Sequence, residues 1–73
     1  MNEDKMKRFA SEVLQEIEKA IVSNYQAIHS MTTKHGVSRY DDKLCISCDG
    51  KISALRGIQF FIEELVRKIE DED

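Results

Sequence analysis

The fold is decided by residues 4–29, DKMKRFASEVLQEIEKAIVSNYQAIH, a stretch that contains neither glycine nor proline. Apolar residues recur along it mainly in alternating steps of three and four, which is the spacing of one face of an α-helix. These residues are Met6, Ala10, Val13, Ile17, Ala20, Ala27 and Met31. The pattern predicts a long amphipathic helix over about residues 4–30.

The apolar stripe of this helix is wide. Leu14, Ile21 and Ile28 form a second line at seven-residue spacing beside the first. A stripe of this width exceeds the seam of a two-stranded coiled coil, so we expect the helix to pack against two neighbours. Asn24 stands where the stripe predicts an apolar residue. It either fixes the register or the oligomeric state, or lies at a water-filled gap.

A second helix is predicted over about residues 50–70. Its apolar positions again follow steps of three and four, namely Leu55, Ile58, Ile62, Leu65 and Ile69. Asp49 is the predicted N-cap, because an aspartate side chain accepts hydrogen bonds from the amides two or three residues later. Residues 70–73 are all acidic and are interpreted as a solvated tail.

The segment between the helices, about residues 31–48, is too long for a bare turn and is expected to have structure of its own. Residues 37–40 and 43–48 flank Asp41 and Asp42, which predicts a short β-hairpin or a knuckle-like insertion. The predicted fold is mainly α, a single small domain built as a two-helix antiparallel hairpin with this insertion. Because a chain of 73 residues buries only about 60% of its unfolded surface, we expect assembly as a helical-bundle homo-oligomer.

Composition excludes several classes of protein. Of all residues 34% are charged, and the net charge is −3. No apolar run approaches the roughly 18–20 residues of a membrane span, and the first residues lack the pattern of a signal peptide. A cytoplasmic protein without membrane association is therefore expected. Nucleic acid is an unlikely partner, because that binding depends on neutralising phosphates with basic side chains.

The most specific chemical signal is the C-x-x-C pair of Cys45 and Cys48, with His29 and His35 upstream. Two thiolates and two imidazoles would complete a tetrahedral zinc site, so these four residues are the alternative metal ligands. Redox chemistry is disfavoured, because the predicted helix starts after both thiols. The competing interpretation is that at least one cysteine is simply a buried apolar residue. No cofactor is expected in that case, and zinc remains the alternative.

An anion site is a second alternative. Residues 34–56 carry five basic and three acidic side chains, and the start of the second helix presents free amides that favour negative charge. A phosphorylated small ligand or nucleotide would then be held by Lys34, Arg39, Tyr40, Lys43, Ser47 and Lys51. Solvated loop charges are the more common explanation of such residues.

A protein interface is predicted on the second helix. Phe60 lies opposite the apolar seam, on the face that also carries Ser53 and Gly57. A glycine inside a helix costs roughly 1 kcal/mol relative to alanine, which favours a role in close backbone approach. Arg39 and Tyr40 are the predicted exposed contacts at the tip. The alternative is that the central segment folds back over this face.

Together these features predict a non-enzymatic, small, oligomeric binding or regulatory protein that blocks, bridges or sequesters a partner protein. Size alone suggests an inhibitor of the kind that phages or accessory loci encode. The two alternatives are a sponge for a phosphorylated ligand or nucleotide at the basic central segment, and a zinc-stabilised adaptor through Cys45 and Cys48.

Overall fold

The computed structural model describes residues 2–72 and contains two helices that pack against each other as a hairpin. Helix α1 is Asn2–Lys34 and helix α2 is Lys43–Asp71. The Cα atoms span 52 × 15 × 12 Å, so the molecule is a rod two helices wide. The predicted helical hairpin is confirmed. Within residues 2–72 neither helix is both long enough and apolar enough to cross a membrane.

Helix α1 ends one turn later than the sequence pattern predicts. The hydroxyls of Thr32 and Thr33 donate to the His29 carbonyl at 3.1 and 2.6 Å, within the helix. Gly36 then adopts the left-handed region with φ +67°, which glycine reaches without steric cost. The Val37 amide donates back to the Met31 carbonyl at 3.4 Å, which ties the start of the connecting segment to the last turn of α1. The chain therefore turns at Gly36.

The predicted β-hairpin is wrong, since residues 2–72 contain no strand and α2 begins at Lys43. The N-cap is Asp42 rather than Asp49. Its Oδ1 accepts hydrogen bonds from the amides of Leu44 at 2.9 Å and Cys45 at 3.1 Å. Residues 43–48 form a short apolar-rich run that fits strand and helix alike, and the cap at Asp42 commits the run to the helix.

Asp49 has a different partner. Arg39 donates to both of its carboxylate oxygens, from Nη2 at 2.8 Å and from Nε at 3.3 Å. This two-point contact holds the connecting segment, residues 35–42, against the second turn of α2. The Arg39 guanidinium also holds the pKa of the Asp49 carboxyl below its usual range.

The hydrophobic core lies in the half of the hairpin nearest the turn. Its buried side chains are Ile17, Ile21, Ile28, Cys45 and Ile52. Partly buried side chains packed against them are Val13, Met31, Val37, Cys48, Leu55 and Ile62. Asn24, half-buried among them, donates from Nδ2 to the Ala20 carbonyl at 2.8 Å, so its amide is satisfied within its own helix. Outside residues 17–52, no described side chain is fully buried.

Candidate interaction face

An apolar groove runs between the two helices at the end of the hairpin away from the turn. Its volume is about 380 Å³. It is lined by Met6, Phe9, Ala10 and Val13 of α1 and by Ile62, Leu65, Val66 and Ile69 of α2, with Lys5 and Lys7 at its rim. A shallower groove continues it toward the turn, past Ala20 and Leu55. We call this groove, together with Ile58 and Phe61 beside it on α2, the open face.

The position of the open face follows from the way α2 meets α1. The buried residues of α2, Cys45 and Ile52, are seven residues apart and mark one edge of its apolar stripe. Ile58 and Leu65, also seven apart, mark the other edge and are exposed. Helix α2 therefore packs through one edge of a wide stripe. The other edge is left on the surface, with Phe61 62% exposed beside it.

Helix α1 shows the same off-centre packing. Ile21 and Ile28 are buried against α2, whereas Phe9 is 68% exposed and Met6 is also exposed. Phe9 and Val13 line both grooves, so they lie on the same side of the hairpin as Leu65. The exposed edges of the two helices consequently form one continuous apolar surface rather than two separate patches.

The opposite side of the hairpin is bridged by polar side chains, and we call it the closed side. Gln59 donates from Nε2 to Glu18 Oε2 at 2.9 Å, and Arg56 Nη1 lies 3.4 Å from the same oxygen. Arg56 is two residues before Ile58, about 200° around the helix, so the bridge and the open face lie on opposite sides. The hairpin is therefore amphipathic as a unit.

The predicted interface residues Ser53, Gly57 and Phe60 all lie on the outer surface of α2, and we call them the outer stripe. Phe60 is 64% exposed. A Cβ added at Gly57 would meet no atom beyond its own stretch of helix backbone within 4 Å, so no other part of residues 2–72 approaches that backbone closely. The connecting segment does not fold back over this surface, which excludes the alternative raised by the sequence. Exposed Ile46 precedes Gly50 on the same side.

The two tip residues of the predicted interface differ in their surroundings. Tyr40 is 81% exposed at the turn between the helices. Arg39 is also on the surface, but its guanidinium is committed to Asp49 at 2.8 Å. Tyr40 is therefore the freely presented side chain of this pair.

The predicted metal ligands are not grouped around a common point. Within residues 2–72 no three His, Cys, Asp or Glu side chains are placed to hold a metal ion. His29 and His35 are exposed, whereas Cys45 is fully buried as a free thiol and Cys48 is half-buried. Burial raises the pKa of the Cys45 thiol, and the neighbouring Asp42 carboxylate raises it further. Cys45 therefore acts as a core side chain in this fold.

The predicted anion-binding residues lie at the end of α1, in the connecting segment and in the first turns of α2. Because α2 begins at Lys43, Ser47 and Lys51 lie within the helix rather than at its first amides. Those amides already bind the carboxylate of Asp42, which supplies the negative charge that a helix N-terminus favours. Lys34 and Lys43 are exposed at the two helix ends that flank the connecting segment.

Sequence reasoning missed Phe9. Met6 and Ile58, which it placed in the apolar stripes, are exposed in the single chain. The available signal was the width of both stripes, which exceeds what one neighbouring helix can cover. The pattern does not say which edge of a wide stripe is covered within the chain. No protein-family model, curated protein or solved structure matches this chain, so its interpretation rests on its own residues.

Proposed function

We propose that this chain is a non-enzymatic binding protein that docks its open face onto helices of another polypeptide chain. The observation that carries the proposal is that both helices leave one apolar edge exposed on the same side of the hairpin. Large continuous apolar surfaces on small proteins mark sites of protein interaction. Assembled through this face as a homo-oligomer, the protein blocks, bridges or sequesters a partner protein.

The shape of the open face fits a helical occupant. A groove between two helices accepts side chains that a third helix projects at positions i, i+3, i+4 and i+7. Phe9 lines both grooves, and Phe61 is exposed on α2 beside them, so both provide large aromatic contacts. Adding one or two helices here would complete a three- or four-helix bundle, the packing in which stripes of this width are covered on both edges.

The outer stripe supplies a second contact region in the same proposal. Exposed Phe60 and Ile46 lie on the outer surface of α2 with Gly50, Ser53 and Gly57 between them. Small residues between two large apolar ones let another backbone approach α2 closely. We assign this stripe, with Tyr40 at the turn, to the partner protein and the open face to assembly.

Site-specific photocrosslinking tests the proposal. A benzophenone amino acid is placed at Phe61 on the open face, and in a matched variant at Gln26, which is exposed on the outer surface of α1. After irradiation in cells that produce the protein, covalent adducts are expected from position 61 and not from position 26. Equal yields from the two positions would contradict the proposal, because the open face would then be no more occupied than ordinary surface.

A further inference from the structure

We infer that Cys45 and Cys48 form a reversible oxidation site, at which a low-molecular-weight disulfide converts the two free thiols into one disulfide within the chain. The site lies at the turn end of the hairpin and is independent of what occupies the open face. Helix α2 begins at Lys43, two residues before Cys45. Both thiols therefore lie within the first turns of a helix, whereas the sequence pattern predicts a helix that starts after them.

Helix geometry brings the two cysteines within bonding range of each other. Residues three apart in an α-helix lie on the same face. With a rise of about 1.5 Å per residue and a Cα radius of about 2.3 Å, their Cα atoms are about 5 Å apart. Disulfides join cysteines whose Cα atoms are about 4.4–6.8 Å apart. The spacing of Cys45 and Cys48 on α2 therefore suits an intrachain disulfide.

The two side chains also lie together in the folded chain. Both are free thiols, Cys45 fully buried and Cys48 half-buried. Cys48 packs against the core cluster that contains Cys45. Burial is the main cause that raises the pKa of the Cys45 thiol, the Asp42 carboxylate is the next, and the Cys48 thiol also contributes. The two sulfur atoms are thus close enough to influence each other.

The unequal exposure of the thiols sets the order of the reaction. Thiol–disulfide exchange starts when a thiolate attacks one sulfur of a disulfide, and it passes through a mixed disulfide. Cys48 is the thiol that an oxidant can approach, because Cys45 is 0% exposed. The Cys48 thiolate therefore forms a bond to one sulfur of the small disulfide and releases the other sulfur as a thiolate. Cys45 then attacks the Cys48 sulfur and displaces the second small thiolate.

The two steps balance. Two electrons pass from the cysteines to the small disulfide, and the two cysteine protons end on the two small thiols that are released. The reverse exchange, with an excess of the small thiol, restores both cysteines. The ratio of small thiol to small disulfide in the surrounding solution therefore determines which form of the chain is present.

Closing this bond alters the turn end of the hairpin. The Cβ atoms of helical residues three apart are about 5–6 Å apart, whereas a disulfide requires about 3.5–4.5 Å. The first turn of α2 must therefore move by roughly 1–2 Å. It can do so because the first amides of a helix have no partner within the helix. The Cys45 amide is held by Asp42 Oδ1 at 3.1 Å, and its side chain shares the core with Ile21 and Ile52. Oxidation thus loosens both the cap and the core.

Exposure to oxidised glutathione, followed by intact-mass spectrometry, tests the site. The chain has only these two cysteines. The native chain should pass through an adduct of one glutathionyl group and end lighter than it started by two hydrogen atoms. Dithiothreitol should restore the original mass. Cys45→Ala should stop at the adduct, and Cys48→Ser should form an adduct roughly tenfold more slowly or not at all, because its remaining thiol is buried.

A matched variant keeps the buried thiol in the core. Cys48→Ser combined with Lys51→Cys moves the accessible thiol to an exposed position of the same helix. Its Cα atom is then about 10 Å from that of Cys45, beyond the roughly 7 Å that a disulfide can bridge. This variant should also stop at the mixed disulfide. An intrachain disulfide in this variant would overturn the helical spacing as the cause.

Thermal unfolding followed by circular dichroism measures the effect on the hairpin. The oxidised native chain should melt at a lower temperature than the reduced chain, and dithiothreitol should reverse the shift. A native chain that retains the glutathionyl adduct, or that forms a disulfide between two chains, would overturn the site. An intrachain disulfide that leaves the melting temperature unchanged would overturn its coupling to the core. None of these results depends on crosslinking at position 61, so the proposed function stands or falls separately.

Discussion

Two isoleucines on opposite edges of the apolar stripes should respond differently to the same substitution. Ile21 is 0% exposed in the core and Ile58 is 49% exposed on the open face. Removing one buried methylene costs about 0.8 kcal/mol in transfer free energy, and Ile→Val in cores costs about 0.5–1.5 kcal/mol. We therefore expect Ile21→Val to lower the free energy of unfolding by about 1 kcal/mol, and Ile58→Val by about 0.4 kcal/mol or less in the monomer.

The assay is urea unfolding followed by circular dichroism at 222 nm, performed at a low and a high chain concentration. Both substitutions keep a β-branched residue in a helix, so changes in helix propensity largely cancel between them. The cost of Ile58→Val should rise with chain concentration as the open face becomes covered, because association adds to apparent stability. If Ile58→Val costs as much as Ile21→Val at the lowest concentration, the open face is already covered within one chain and the reasoning fails.

Three further outcomes follow from the cap, the thiols and the ion pair at the start of α2. Asp42→Ala should lower the free energy of unfolding by about 1 kcal/mol in thermal melts, whereas Asp42→Asn, which retains a capping oxygen, should cost much less. Cys45 should react with a thiol reagent more slowly than Cys48. Equal reaction rates for the two thiols would contradict the burial of Cys45. Because the folded-state pKa of the Cys45 thiol is raised, the free energy of unfolding should also fall as pH rises above the ordinary thiol range. The depressed pKa of Asp49 makes its ion pair stabilising at neutral pH, and this contribution is lost as pH falls through the folded-state pKa; Arg39→Gln should return the carboxyl to its usual range in an NMR titration.

The two helices could be predicted because each carries a long apolar pattern of period 3.6, and this signal survives errors at individual positions. The start of α2 could not. Asp42 and Asp49 are both chemically suited to cap a helix, and Gly50 makes the later one look better placed. The decision depends on the contact between Arg39 and Asp49, which exists only after the chain has turned. The carboxylate of Asp49 is held by Arg39 in that contact, and Asp42 caps α2 in its place.

For the candidate site, the sequence could predict that Phe60 faces away from the partner helix. The position of a residue relative to the apolar stripe of its own helix follows from the local sequence alone. It could not predict that Phe9 and Phe61 would share a surface. That outcome depends on which edges of two separate stripes meet, and hence on the rotation of each helix about its own axis. The bridge from Gln59 to Glu18 is a long-range contact across the closed side that helps to define this rotation.

The uneven placement of the core has a consequence for the order in which the rod opens. In the described part of the chain, buried side chains occur only within residues 17–52, nearest the turn, while the helix ends away from the turn meet across a groove. Amide hydrogens of Ile21 and Ile52 should therefore exchange with solvent more slowly than those near Met6 or Ile69. Contacts near the turn join residues that are closest in sequence, so folding should begin there and the helices should then pair progressively toward their other ends. In a single chain, local opening should therefore be rarest near the turn and most frequent at the helix ends away from it. A partner bound at those ends would slow hydrogen exchange where the chain alone slows it least.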